Sequence, residues 1–234
     1  YQDSIISQIA ELINEGTRDD SHAFDPELLP VAEKILLILL NKTKAHLPEM
    51  VDLINSVLNS TKGKIFTALI NYSLRYARLY KKDKDMRWVD PIKEEFERRL
   101  NREYDPSIEF SVILGEYLSN LYYLDKSWVI EKVNHIFPKN IDEHWKAAFL
   151  GYLFNASTVY KDIYFLLREN GHYAKAIETK FEDEHIEEGI VQHICIGYIE
   201  GWENLEDKNS LFSKLIEKKN PSHISEIVSF FWMG

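Results

Sequence analysis

Apolar residues in this chain recur every three or four positions. Ile65, Leu69, Tyr72, Tyr76 and Leu79 step in this way, as do Phe110, Leu114, Tyr117 and Leu121, and Trp145, Ala148, Phe149 and Tyr152. That spacing lines side chains along one face of a helix. A half-buried strand would need two-residue alternation, and no segment shows it convincingly. The pattern points to an all-α chain.

The punctuation agrees. Asp25-Pro26, Asp90-Pro91, Asp105-Pro106 and Asn220-Pro221 each set a capping side chain before a proline, using four of the seven prolines. An Asp or Asn oxygen can accept an orphan amide at a helix entry, and proline at the first helical position loses no hydrogen bond. Asn140 and Glu143 stand at capping-box spacing. Helices are expected near 2–15, 26–40, 48–59, 63–82, 91–103, 106–123, 126–135, 141–155, 158–169, 172–181, 185–200, 208–218 and 221–232. The stretch from Leu28 to Leu40 is apolar nearly all round, as expected of a helix buried between others. Longer loops are expected at 83–90 and 203–209.

Three segments share a signature: Leu114-Gly115-Glu116-Tyr117-Leu118, Leu150-Gly151-Tyr152-Leu153 and Ile196-Gly197-Tyr198-Ile199. Their glycines lie 36 and then 46 residues apart, in the range of helix-pair repeats. The expected architecture is an irregular α-solenoid of antiparallel helix pairs, TPR- or HEAT-like. It would be a single repeat region over 1–234, with a softer division near 83–90. A glycine inside a helix costs about 1 kcal/mol against alanine, so these three are expected at close helix contacts, and Gly189 similarly.

Composition narrows the function. The chain is 45% hydrophobic and 28% charged, which suits a packed core. Its net charge of −10 argues against general nucleic-acid binding. The charge is uneven, with 12 basic and 6 acidic residues from Lys62 to Arg102, but 14 acidic and 5 basic from Asp142 to Asp207. Arg75, Arg78, Lys81 and Lys82 lie with Tyr76 and Tyr80 on one expected helix, and Arg98, Arg99 and Arg102 follow. The tyrosines continue the apolar stripe, which favours core over base stacking. Cys195 is the single cysteine, so no internal disulfide can form. No apolar run reaches the roughly 18 residues of a membrane span, and no signal peptide is visible. A cytoplasmic protein is expected. The chain opens on Tyr1 and closes on Phe230-Phe231-Trp232-Met233-Gly234, which reads as a piece of a longer protein.

Reactive constellations are weak. Ser60-Thr61-Lys62-Gly63-Lys64 resembles part of a P-loop, but Leu58 stands where the first glycine belongs and Ile65 where Ser or Thr belongs. A helix start capped by Asn59, Ser60 or Thr61 explains it better. Asp142-Glu143-His144 recurs as Asp183-Glu184-His185, yet neighbouring side chains on a helix diverge and chelate poorly. No HExxH or GxSxG pattern occurs. Neither a cofactor nor a metal is expected.

The run Asn59 to Lys64, followed by Ala68-Leu69-Ile70-Asn71-Tyr72-Ser73-Leu74, resembles the helical C-terminal region of prokaryotic anti-phage STAND NTPases of the Avs (AVAST) group. Trp88, Leu114-Gly115, Tyr117, Leu124-Asp125-Lys126, Trp128, Phe137-Pro138, Trp145 and Phe149 to Tyr152 continue the likeness in order, over roughly 57–177. The resemblance implies a target-sensing segment that grips a phage protein. An attached NTPase and effector would lie elsewhere in the parent, which would oligomerise. The chain has neither Walker nor effector motifs, so the family's catalytic residues have no positions here.

A non-enzymatic protein-binding module is the expected function. The alternatives are a structural or oligomerisation domain of a multidomain enzyme, and a helical enzyme with its site between repeats. Contacts with a protein partner are expected from exposed aromatics and arginines near loops and helix ends: Arg87, Trp88, Tyr173 and Trp202.

Overall fold

The computed structural model describes residues 2–44, 52–80, 87–154, 158–181 and 184–233, without the side chains of Glu184, His185 and Met233. The described residues are helical and contain no strand. The helices are α1 (Gln2–Arg18), α2 (Leu29–Lys42, entered through a 3-10 turn Pro26–Leu28), α3 (Leu53–Asn59), α4 (Thr61–Tyr80), α5 (Asp90–Arg99), α6 (Ile108–Glu116) and α7 (Leu118–Leu124). There follow α8 (Lys126–Ile136), α9 (Asp142–Phe154), α10 (Lys161–Glu169), α11 (His172–Glu178), α12 (Glu184–Ile199), α13 (Leu211–Glu217) and α14 (Pro221–Met233). Expected helical positions 48–51, 81–82 and 155 lie outside the described residues, as does the 83–86 part of the expected division. The backbone forms two compact units, Tyr1–Tyr152 and Leu153–Gly234.

Several helix entries follow the expected chemistry. Asp25 accepts the Glu27 amide at 2.9 Å, Ser60 Oγ accepts the Gly63 amide at 2.9 Å, and Asn220 accepts the Ser222 amide at 3.0 Å. Asp90 differs. It lies inside α5, whose cap is Val89 with no side-chain bond.

In the first unit α4 is the axis. It packs against α1, α2, α3, α6 and α7, and burial runs around it, through Ile65, Phe66, Leu69, Ile70, Tyr72 and Ala77. This reverses the expectation for α2. Leu29, Ala32, Leu36 and Leu40 are buried, but Leu28, Val31 and Ile38 on another face are 50%, 54% and 53% exposed. The helix at the centre is the one whose polar residues find partners there. Asn71 donates to Asn14 at 2.7 Å, Arg75 meets Asp20, and Lys62 meets Asp105 at 2.8 Å.

Two glycines of the shared signature meet at a close helix contact, as expected. Gly115 on α6 and Gly151 on α9 face each other across one crossing. A Cβ on Gly115 would stand 1.8 Å from the Ala148 carbonyl oxygen, and one on Gly151 would stand 2.2 Å from that of Val112. These are two sides of a single backbone contact. The expected helix 106–123 also breaks here, into α6 and α7, at Tyr117 (φ −96, ψ 18). A weak helix former next to a close crossing accounts for the break.

In the second unit α12 packs against α11, α13 and α14. Gly197 gives Tyr164 its place, since a Cβ would stand 2.9 Å from the phenol oxygen. Gly189, by contrast, makes only ordinary contacts, 3.7 Å from Leu153.

Gly151→Ala is expected to cost about 3 kcal/mol by overpacking, because the obstacle is backbone. Gly189→Ala should instead stabilise by up to about 1 kcal/mol through helix propensity. Urea denaturation of the two variants checks both.

Candidate functional site

The densest polar cluster lies in the first unit. Lys62, Glu95, Arg99 and Asp105 are all under 9% exposed. Asp105 receives Lys62 Nζ at 2.8 Å on one carboxylate oxygen and the Arg99 guanidinium on the other, while Arg99 Nε donates to Glu95 at 2.8 Å. The Ser107 amide also donates to Asp105, at 3.1 Å. Burial alone would push the Asp105 carboxyl up. The hydrogen bonds from Lys62, Ser107 and Arg99, with the Lys62 charge, outweigh it and hold the group below its ordinary range. Phe66 lines the cluster, with Lys62 and Arg99 each 5.9 Å from its ring centre. Lys62 and Arg99, with the half-exposed Arg98 on the outer oxygen of Glu95, thus meet two carboxylates, and the cluster holds α4 to α5 and to the turn before α6.

A second pair resembles a nucleophile and its base. Ser111 Oγ lies 2.8 Å from His144 Nδ1. Burial first, and then the Arg102 charge, lower the His144 pKa to about 4. A base that weak takes up little proton at neutral pH, and Ser111 is fully buried. The contact ties α6 to α9. The related triplet at 183–185 lies outside the described side chains. Cys195 is buried, its thiol pushed up to about 12 by desolvation and then by Glu226, which makes it an inert core residue. Among the described residues no cluster of His, Cys, Asp and Glu could hold a metal ion.

Glu116 lies outside the Asp105 cluster. Burial raises its carboxyl to about 7, and its Oε2 has no hydrogen-bond partner. It ends α6 beside the glycine crossing, where a Cβ on Gly151 would lie 3.0 Å from its amide nitrogen.

In the second unit Glu203 is the organising carboxylate. Tyr164 donates to Oε1 at 2.9 Å and Arg168 Nε lies 3.1 Å from the same oxygen. Ser210 Oγ and the Leu211 amide donate to Oε2, both at 2.7 Å. This carboxylate clasps the connection from α12 to α13 onto α10. Sequence reading missed it, because Glu203 is one acid among many in an acidic stretch.

Of the four expected contact residues, Arg87 and Trp88 lie in the first unit, Tyr173 and Trp202 in the second. Trp88 is 5% exposed and packs edge-on against Trp128 and Phe96, with ring centres 4.9 and 5.3 Å away. Tyr173 is fully buried, its hydroxyl 2.8 Å from His193 Nδ1. Neither ring presents a face to a partner, because an aromatic close to a helix end still turns inward where the core has room. Arg87 lies over the Tyr123 ring at 4.2 Å and donates to the Tyr123 carbonyl at 3.1 Å. Trp202 is half-buried against Tyr164 and Phe165, at 5.3 and 6.1 Å.

Apolar side chains also stand exposed along helix faces. On α2 they are Leu28, Val31 and Ile38, with Ile35 partly exposed between them. On α1 they are Ile5 and Leu12, 57% and 63% exposed, with Ile9 partly exposed between them. On α14 they are Ile224, Val228, Phe231 and Trp232. The signal in the sequence was the apolar character of α2 on nearly all sides, interrupted at Glu33 and Lys34, which serves two faces at once. Among the described residues no helix is long and apolar enough to cross a membrane.

Two measurements test the polar sites. Asp105→Asn should cost about 3–5 kcal/mol in urea unfolding, because it strips a partner from buried cations. For Glu116 the folded pKa is about 7 against an ordinary 4.5. The folded state therefore holds the proton more tightly, and stability falls as pH rises through that window. Glu116→Gln should flatten this fall and gain on the order of 2 kcal/mol above the window. No known protein family matches the chain, and no curated protein or solved structure shows significant similarity to it.

Proposed function

We propose that the chain is a non-enzymatic protein-binding module. In this reading the helices form an irregular α-solenoid of TPR- or HEAT-like pairs. The module serves as the target-sensing segment of an intracellular anti-phage NTPase, and its ligand is a phage protein. The fold class supports this, since helical pairs joined by short connections are a usual frame for protein recognition. So does the resemblance of 57–177 to the C-terminal region of the Avs group.

The observation that carries the reading is the outer face of α2. Val31 and Ile38, with Leu28 of the 3-10 turn that leads into the helix, are each about half exposed, while the opposite face of the helix is already packed. An exposed apolar stripe of this kind is the usual mark of a site for another chain. An amphipathic partner helix could lie along it and meet these residues at i, i+3 and i+10. Ile5, Ile9 and Leu12 of α1 offer a second stripe in the same unit.

A panel of cloned phage proteins, each co-expressed with the tagged chain, tests this. At least one should co-purify with the chain, and Val31→Glu with Ile38→Glu should reduce its recovery at least tenfold while helicity is unchanged. Retention of the partner by that double variant would remove α2 from the reading. Absence of any partner from the panel would count against a phage ligand.

A further inference from the structure

The last helix docks through one buried side chain, and that side chain is a histidine. Among the described side chains of α14 only His223 is buried, with 6% of its surface exposed. Ile224, Val228 and Trp232 stand exposed, and Ile227 and Phe230 are partly so. Phe231 rests on Tyr198 of α12 and Phe212 of α13, with ring centres 6.0 and 6.2 Å away, yet stays 43% exposed. Gln192 of α12 donates to Glu226 at 3.1 Å. A helix attached through so little apolar burial belongs to the least stable part of a fold. It is joined to α13 through Lys219 and Asn220, and Lys219 takes φ 51, a left-handed conformation that lysine rarely adopts.

The His223 ring is buried with neither nitrogen satisfied. Nδ1 has no hydrogen-bond partner, and Nε2 lies 3.7 Å from Glu187 Oε2, beyond hydrogen-bond reach. Among the described residues two charges reach the ring. Glu187 of α12 favours the imidazolium, and Lys218 at the end of α13 opposes it. On α14 itself Glu226 stands one turn further along, bound to Gln192. Desolvation outweighs the pull of Glu187 and holds the imidazole below its ordinary pKa of 6.5. Freed from α12, the ring meets water and recovers the ordinary value.

We propose that α14 is a pH-sensitive flap, docked while His223 is neutral and released from α12 when mild acid protonates the ring. The released helix binds the proton more tightly than the docked one. Docking is therefore strongest above the ordinary imidazole range and weakens as pH falls through it. Release uncovers the stacked rings of Tyr198 and Phe212, whose centres are 4.6 Å apart and which Phe231 partly covers. Acidification would then offer a partner a surface closed to it at neutral pH. The proposal concerns the second unit alone and does not depend on the reading of α2.

Hydrogen exchange of the full 234-residue chain, corrected for the intrinsic pH dependence of exchange, tests this between about pH 7.5 and about pH 5. An isolated helix of 13 residues is marginal in water, so release appears as lost amide protection. Protection of the α14 amides should fall roughly threefold or more on acidification, while the α4 amides show no such fall. His223→Gln has no titrating ring and should abolish the fall. Glu187→Gln should deepen it, because the imidazolium then loses the anion beside it. In the unaltered chain, the His223 ring followed by NMR should titrate with a midpoint below that of a denatured peptide of the same sequence. That readout needs no variant, so it decides the matter even where His223→Gln fails to fold. A smaller fall in α14 protection, or a rise, overturns the proposal. So does a fall that persists in His223→Gln, one that shrinks in Glu187→Gln, or a His223 midpoint at or above that of the peptide.

Discussion

Asp105 receives two buried cations, and the first unit depends on that meeting. Lys62 begins the central helix α4 and Arg99 ends α5. The carboxylate that joins them lies 43 residues from the lysine. Either cation left alone in this setting would carry a desolvation penalty of several kcal/mol. The cluster removes the penalty and fixes where α4 starts relative to the turn that launches α6. Phe66, Phe96 and Phe110 pack around it with ring centres 4.8 to 5.8 Å apart. The aromatic core and the charge cluster thus define the same place.

The second unit uses one carboxylate for a similar end. Glu203 gathers two side chains from α10, with a hydroxyl and an amide from the start of α13. Both units direct their interior polar groups towards holding elements together, and both leave apolar surface on the outside of helices. Exposed apolar side chains line faces of α1, α2 and α14.

Much of the fold was legible in the sequence. Periodicity marked the helices to within a few residues, and Asp25, Ser60 and Asn220 cap as their positions suggest. Two things were not legible, each for a physical reason. The central helix is α4 and not the more apolar α2, because Lys62, Asn71 and Arg75 find partners far away in the chain. Trp88 and Tyr173 sit by helix ends and yet point inward, since local position does not say which way a large ring turns. The shared Leu-Gly-Tyr signature suggested a repeat. Its glycines do sit at close contacts, as their helix position suggested: two are partners in one crossing, and the third makes room for a tyrosine.

That contact shapes how such a chain can drift. Over most of the core, an apolar residue can be exchanged for another of like volume, because neighbouring side chains adopt new rotamers. Between Gly115 and Gly151 the obstacles are the carbonyl oxygens of Ala148 and Val112, which have no rotamers to change. A methyl on one side cannot be offset by a smaller residue on the other, since none is smaller than glycine. Among descendants of this chain, these two positions should therefore stay fixed while the aromatics around them vary.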